Sequence, residues 1–266
     1  MTALALAQLN LFPVKSMRGM SVPRWQVGPR GLLHDRELMV VDPAGRFVTQ
    51  REEAAMALVS AELAGDHLLL GAPGASPLDL PLAARSSQRV RVSIWNDEVA
   101  AEPVGAEADA WLSRVLARPV RLVRFAADEL RQVDLRFARA GDQVGFADGF
   151  SFLLLGEASL ADLSTRVGRP LAMARFRPNL VVAGAGPYAE DGWRRLRIGG
   201  IELELVKPCA RCAITTIDPD TGEAGLEPLR TLATYRRTAG KVHFGWNLVH
   251  RGTGTLQVGD PVEILS

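Results

Sequence analysis

Hydrophobic and polar positions alternate along most of the first half of the chain, in short runs separated by turn residues. "ELMVV" and "RFVTQR" flank Asp42-Pro43-Ala44-Gly45, and "LVSAEL" and "HLLLG" flank Gly65, so each pair reads as a hairpin. "RVRVSIWNDEVAAEPV" alternates again through Val90, Val92 and Ile94. Strands at this spacing, with few helices between them, point to a barrel or a sandwich. The period changes in "AEADAWLSRVLA", where Ala108, Trp111, Leu112 and Val115 recur at helical spacing and predict one amphipathic helix.

The second half mixes the two periods. "EASLADLSTRVG" places Leu160, Leu163 and Val167 on one helical face and stops on Gly168, a natural C-terminal cap. "RPNLVVAG" reads as a strand, "LRIGGIELELV" as a hairpin over Gly199-Gly200, and "PLRTLATYR" as a short helix. "LQVGDPVEIL" reads as a closing strand pair turning at Gly259-Asp260-Pro261. The expected class is therefore mainly β with a few helices (α+β). A boundary is expected near residue 125, after the strand "VRLVRFA", dividing the chain into 1–125 and 126–266.

Composition narrows the function classes. With 266 residues, 47% hydrophobic and 23% charged, the chain has the make-up of a globular protein with a sizeable core. A net charge of +1 gives no reason to expect nucleic acid or an anionic membrane surface as partner. No apolar run approaches the ~20 residues needed to span a bilayer. The start, "MTALALAQLNLFPVKS", lacks the basic residues and cleavage site of a signal peptide and reads as an early strand. Two cysteines make no disulfide framework, so reduced thiols and a cytoplasmic location are expected.

Those two cysteines, Cys209 and Cys212, carry the candidate chemistry. Structural zinc wants four Cys or His ligands at paired spacings, and His34, His67, His243 and His250 are all single. Redox activation of a Cys-x-x-Cys pair uses a helix N-terminus, whereas this pair follows the strand-like "IELELVKP" and precedes the β-rich "AITTI". Two buried thiols acting as small apolar side chains remain a bland alternative. A fourth reading is a thiolate that binds a soft metal carried by a cofactor. If that cofactor is anionic, cations must gather at the same place, and Lys15-Ser16, Asp35-Arg36 and Arg175-Arg177-Asn179 are strings set among apolar residues where an unpaired charge is expensive.

"FPVKSMRG", "GLLHDRELMVVD", "VSIWNDEV", "FADGFSFLLLGEASLADL", "FRPNLVVAG", "CARCAITTIDPDTG" and "LQVGDPVEIL" follow one another in the order found in the MOSC family (molybdenum cofactor sulfurase C-terminal domain). The chain most resembles the amidoxime-reducing component branch, over nearly its whole length. The resemblance implies an N-terminal β-barrel domain followed by a MOSC β-barrel domain that binds Mo-molybdopterin. It implies Cys212 as the molybdenum ligand, with Cys209 a neighbour without a required ligand role. It places cofactor contacts at Lys15, Ser16, Arg36, Arg177, Asn179 and Arg211, and the aspartate near the metal at Asp148. After Asp148 this chain has Gly149-Phe150 where some relatives carry small hydroxyl residues.

The branch reduces N-hydroxylated compounds, amidoximes and hydroxylamines, taking two electrons and two protons and releasing water. Asp148 is then the candidate for positioning substrate or shuttling protons. The string Asp218-Pro219-Asp220-Thr221-Gly222 is expected to brace the ligand loop, with Asp218 and Asp220 accepting backbone hydrogen bonds. No glycine-rich dinucleotide fingerprint follows a strand and no cluster-binding cysteine set is present, so electrons are expected from a separate ferredoxin or flavoprotein reductase. Two rivals stand beside this: a sulfur carrier with a persulfide on Cys212, and a protein that stores the cofactor without turnover.

Overall fold

The computed structural model describes residues 3–266 and is built mostly of strands, with three α-helices among the described residues. A nine-stranded sheet runs in the order Val262–Ile264, Arg195–Ile198, Ile201–Ala210, Lys241–Arg251, Phe152–Gly156, Leu180–Ala183, Ala5–Leu11 and Met20–Ser21, with Arg237–Thr238 pairing beside Lys241–Arg251. A four-stranded sheet holds Leu38–Val41, Arg121–Phe125, Asp97–Pro103 and Val90–Ile94. Two three-stranded sheets complete the fold: Gly254–Gln257 with Arg24–Gly28 and Gly31–Leu32, and Ser60–Ala64 with His67–Gly71 and Leu78–Pro81.

Local patterns become the elements they predict. The hairpin around Gly65 pairs Ala64 with His67, and the hairpin over Gly199-Gly200 pairs Ile198 with Ile201. Both glycines of the latter turn take positive φ, 53° and 86°, which a two-residue loop demands. Helix α1 (Ala106–Val115) buries Ala108, Trp111 and Leu112. Helix α2 (Glu157–Val167) ends on Gly168 in the left-handed region, and helix α3 (Leu229–Tyr235) buries Leu232.

Two expectations change. The run after Asp42-Pro43-Ala44-Gly45 makes the turn, but its second arm reduces to a single bridge between Val41 and Phe47. "LQVGDPVEIL" does not pair with itself: Gly254–Gln257 pairs with Arg24–Gly28, and Val262–Ile264 with Arg195–Ile198. Non-local partners offer more apolar surface than a two-strand ribbon could bury by itself. Residues on both sides of position 125 thus share sheets and one apolar core, which runs from Leu6, Leu9 and Leu11 through Leu122 to Leu154, Leu203 and Leu248.

One part of the topology builds the site. Phe152–Gly156 and Leu180–Ala183 are parallel neighbours, Leu154 beside Leu180, joined through α2 as a parallel pair requires. The segments that precede them, 147–151 and 177–179, therefore emerge together at one sheet end. Ala5–Leu11 runs antiparallel to Leu180–Ala183 with Leu9 opposite Leu180, so the chain beyond Leu11 reaches the same end. The strand Ile201–Ala210 shares the partner Lys241–Arg251 with Phe152–Gly156, with Pro208 and Leu154 both opposite Trp246, and undergoes two register shifts around Lys207 and Pro208 just before the cysteines. Such bulges accommodate a proline in a central strand and re-aim the residues around it.

Candidate functional site

The converging segments enclose a cavity of about 320 Å³. All of Lys15, Ser16, Arg36, Asp148, Arg177, Asn179, Arg211 and Cys212 line it. Its charged lining consists of seven cations, Lys15, Arg36, Arg51, Arg175, Arg177, Lys207 and Arg211, against the single carboxylate of Asp148. Three of the lining residues, Ser16, Arg36 and Arg177, hold left-handed backbone with φ of 64°, 48° and 53°. Non-glycine residues reach that region rarely, and where they cluster the surrounding structure over-determines them, commonly at ligand sites.

Each cation is fixed differently. Arg36 donates from Nη1 to Asp35 Oδ2 at 2.5 Å and to Asn179 Oδ1 at 3.0 Å, and from Nη2 to the Arg177 carbonyl at 3.2 Å. Arg177 donates to the Met17 carbonyl, and both guanidinium carbons lie 4.3 Å from the Phe12 ring centroid. Burial first, and the nearby Arg36 charge second, push the Arg177 guanidinium down to about 9, still charged at neutral pH. A cation held at such a disadvantage is one that a bound anion would relieve. Arg211 donates from Nε to the Phe244 carbonyl at 2.7 Å and from Nη1 to the Phe176 carbonyl at 3.1 Å. Its Nη2 is buried and has no hydrogen-bond partner in the protein. Gly245 sits opposite with φ 74°, where a Cβ would stand 2.6 Å from the Leu154 carbonyl oxygen and 3.3 Å from that Nη2. Only glycine fits.

Lys15 is 4% exposed, yet its Nζ meets the Phe146 carbonyl at 2.9 Å and pairs with Asp148. Burial pushes the Lys15 ammonium down, against the pull of Asp148. For Asp148, desolvation works upward, but the Lys15 charge and hydrogen bond, helped by Arg51 and Trp95, outweigh it and hold the carboxyl well below the usual range. Asp148 is therefore ionised at neutral pH, with its side chain 61% exposed at the cavity rim. It can accept hydrogen bonds there; it is a poor store of protons. Asn179 is held by the protein at both ends of its amide: besides Arg36, its Oδ1 accepts from the Leu153 amide and one Nδ2 hydrogen goes to the Asn10 carbonyl. Its side chain orients Arg36 at the cavity wall.

The two thiols are free. Cys209 lies within the strand Ile201–Ala210, and burial pushes its thiol up. Cys212 stands just before a single 3₁₀ turn, Ala213–Thr216, where the sequence suggested a further β run. The turn forms because Thr215 and Thr216 hydroxyls bond back to the Cys212 and Ala213 carbonyls. Among the described residues no three His, Cys, Asp or Glu side chains are grouped. Cys212 and Cys209 both line the cavity, and Cys212 is the sulfur donor that stands against its cations, 3.1 Å from Arg51 Nη2. Asp218 braces its loop as expected, accepting from the Asp220 amide at 2.9 Å and the Thr221 amide at 3.3 Å, and also pairs with Arg175. Asp220 does not accept from the backbone: its carboxylate takes the Arg18 guanidinium at 2.9 Å, because its amide is already turned toward Asp218.

Residues 3–119 match the MOSC N-terminal beta barrel domain and residues 141–263 the MOSC domain. Relatives span nearly the whole chain: mitochondrial amidoxime-reducing component 1 of Homo sapiens is 37% identical over 278 residues, covering 98% of this chain and 82% of the relative. The chain belongs to the MOSC family. The Mus musculus counterpart is likewise 37% identical, over 279 residues, and mitochondrial amidoxime reducing component 2 of Rattus norvegicus is 34% identical over 277 residues, each covering 82% of the relative. The expected class, a mainly β chain with an N-terminal β-barrel domain ahead of a MOSC domain, is what the structure and this membership show.

The sequence reading of this MOSC chain passed over Arg51. Its Nη2 lies 3.1 Å from Cys212 Sγ and 3.9 Å from Asp148 Oδ2, and its guanidinium carbon 4.8 Å from the Trp95 ring centroid. In the string "TQREE" it has no apolar partner in period and looks like any solvated arginine. Lys207, which flanks the cysteines, packs its ammonium 4.6 Å from the Phe137 ring centroid. Gly149, beside Asp148, faces open space and supplies no side chain there.

Proposed function

We propose that the chain binds a molybdenum cofactor, with the Cys212 thiolate as its protein ligand, and reduces small N-hydroxylated compounds, amidoximes and hydroxylamines, using electrons from a separate redox protein. The observation that carries this reading is a cavity lined by two free thiols, seven cations and one carboxylate, in which burial pushes the Cys209 thiol up while Cys212 Sγ stands 3.1 Å from the Arg51 guanidinium. A thiolate suits a soft metal, and the cations suit an anionic pterin. The unpartnered Arg211 Nη2 is a buried donor waiting for an acceptor, and a phosphate oxygen fits that need. The name of the relatives, amidoxime-reducing component, supplies the substrate class.

When bound, the molybdenum group supplies the two-electron chemistry that no protein side chain can. The chain's own residues do the rest. Arg36, Arg177 and Arg211 hold anionic charge, Ser16 lends backbone and hydroxyl at a strained corner, and Asn179 keeps Arg36 aimed. Asp148, ionised beside Lys15, accepts hydrogen bonds from substrate N–H or O–H at the rim and orients it. Protons then come from water or from the substrate-bound solvent, not from Asp148. The free thiols accord with a reducing compartment, and a cytoplasmic location is part of the proposal, as is a working division of the chain near residue 125.

The test is turnover. Protein made in a host that synthesises the cofactor should reduce benzamidoxime when reduced methyl viologen supplies electrons. With NADH or NADPH alone it should not, and a separate ferredoxin or flavoprotein reductase should restore activity with the nicotinamide. Steady NADH-dependent reduction by the pure chain contradicts the external donor. Cofactor-loaded protein that is inert with viologen contradicts the reductase reading and leaves storage in its place.

A further inference from the structure

The rim of the cavity carries an arrangement around Trp95 that cofactor binding alone does not explain. Trp95 donates from Nε1 to Asp148 Oδ1 at 3.2 Å, and the Arg51 guanidinium carbon lies 4.8 Å from the Trp95 ring centroid. Arg51 in turn stands 3.1 Å from Cys212 Sγ. The indole leans on Phe47 at 5.1 Å between centroids, yet remains 46% exposed. Trp95 opens the two-residue turn between Val90–Ile94 and Asp97–Pro103 with φ 55°. Hairpin turns give such a left-handed position to glycine or asparagine, not to a bulky aromatic. Burial does not account for the strain, because half of the ring is in solvent. Position does: the turn holds a flat aromatic face and a guanidinium plane beside the Cys212 sulfur and the Asp148 carboxylate.

We propose that Trp95 and Arg51 form a substrate platform that makes this site prefer flat aromatic N-hydroxylated compounds to aliphatic ones. The platform rests on the reductase reading above. An aryl ring lies against the indole or the guanidinium plane, while its N-hydroxylated carbon projects toward Asp148 and the cavity. Arg51 and Trp95 are pre-set for this, since each is held by Asp148 before any substrate arrives. An aliphatic analogue keeps the polar contacts and loses the stack. The preference is thus a property of the rim, and it is separable from cofactor retention deeper in the cavity.

Calorimetric titration of cofactor-loaded protein with benzamidoxime and with acetamidoxime, without electron donor, reads the platform directly. Wild type should bind benzamidoxime the more tightly, and loss of the stack in Trp95→Gly should erase about 2–10-fold of that ratio. Trp95→Phe should keep most of it. Trp95→Gly relieves the left-handed backbone while losing the Phe47 and Asp148 contacts, so the readout is the ratio of the two affinities, which a uniform folding defect leaves unchanged. Equal wild-type affinities for the two compounds, or an unchanged ratio in Trp95→Gly, overturns the platform whatever the turnover. Intact, ring-dependent binding with no viologen-driven reduction of either compound counts against the reductase reading alone.

Discussion

Asn179 accepts a hydrogen bond from Arg36 at 3.0 Å, across 143 positions of sequence, and so joins the first strands of the chain to the parallel pair in its second half. The same amide satisfies the Leu153 N–H and the Asn10 carbonyl. In Asn179→Leu those two backbone groups lose their side-chain partner and the Arg36 guanidinium loses an anchor. Each buried group left unsatisfied costs about 1–3 kcal/mol, so the urea midpoint should report a loss of roughly 2–4 kcal/mol. Cofactor content should fall with it. A variant of unchanged stability would mean that Asn179 faces the ligand instead of the fold.

Arg177 should behave in the opposite way. Its guanidinium is partly buried beside Arg36, with burial and that neighbour both opposing its charge. Replacing it by methionine removes the repulsion along with its bond to the Met17 carbonyl. Stability of the cofactor-free protein should therefore change little or rise. Retention of the pterin on gel filtration should weaken by about 10–100-fold, the worth of one charge-assisted hydrogen bond of roughly 1.5–3 kcal/mol. A destabilised fold with full cofactor occupancy would make Arg177 a structural residue.

The pair of Arg251 with Glu204 gives a pH-dependent expectation away from the site. Arg251 donates Nε and Nη2 to the two Glu204 oxygens at 3.0 and 2.7 Å, and Nη1 to Asp142 at 2.6 Å. The Arg251 hydrogen bonds hold the Glu204 carboxyl below its usual 4.5. Because the folded value is the lower one, the stabilisation is fully present above about pH 4.5 and is lost as pH falls through the folded value. Arg251→Met should cost about 1–2 kcal/mol at pH 7, the side chains being one-fifth exposed. The difference from wild type should shrink at pH 3. A difference that persists there would assign the effect to packing.

How far the sequence foretold this structure depends on how local each determinant is. Helix α1, the Gly168 cap and the turns at Gly65 and Gly199-Gly200 were legible because periodicity and backbone-permissive residues act within a few positions. The closing strands were not, since Gly254–Gln257 finds its partner some 230 positions earlier, at Arg24–Gly28. Lys15, Arg36 and Arg177 were legible because cations set among apolar residues are costly unless they serve something, whereas Asp148, Arg211 and a ligand role for Cys212 came only from the family resemblance. Arg51 escaped because only the fold brings it to Cys212. The pairing of Asp148 with Lys15, which spans 133 positions, was out of reach for the same reason.

The central claim is that Cys212 holds a molybdenum cofactor in the cationic cavity. Molybdenum and pterin per chain, measured in protein from a cofactor-synthesising host, test it most directly. Wild type and Cys209→Ser should carry the metal, and Cys212→Ser should not, because a hydroxyl is a far poorer ligand than a thiolate for a soft metal. Equal metal content in Cys212→Ser and wild type, or equal loss in both cysteine variants, would contradict a single-thiolate site.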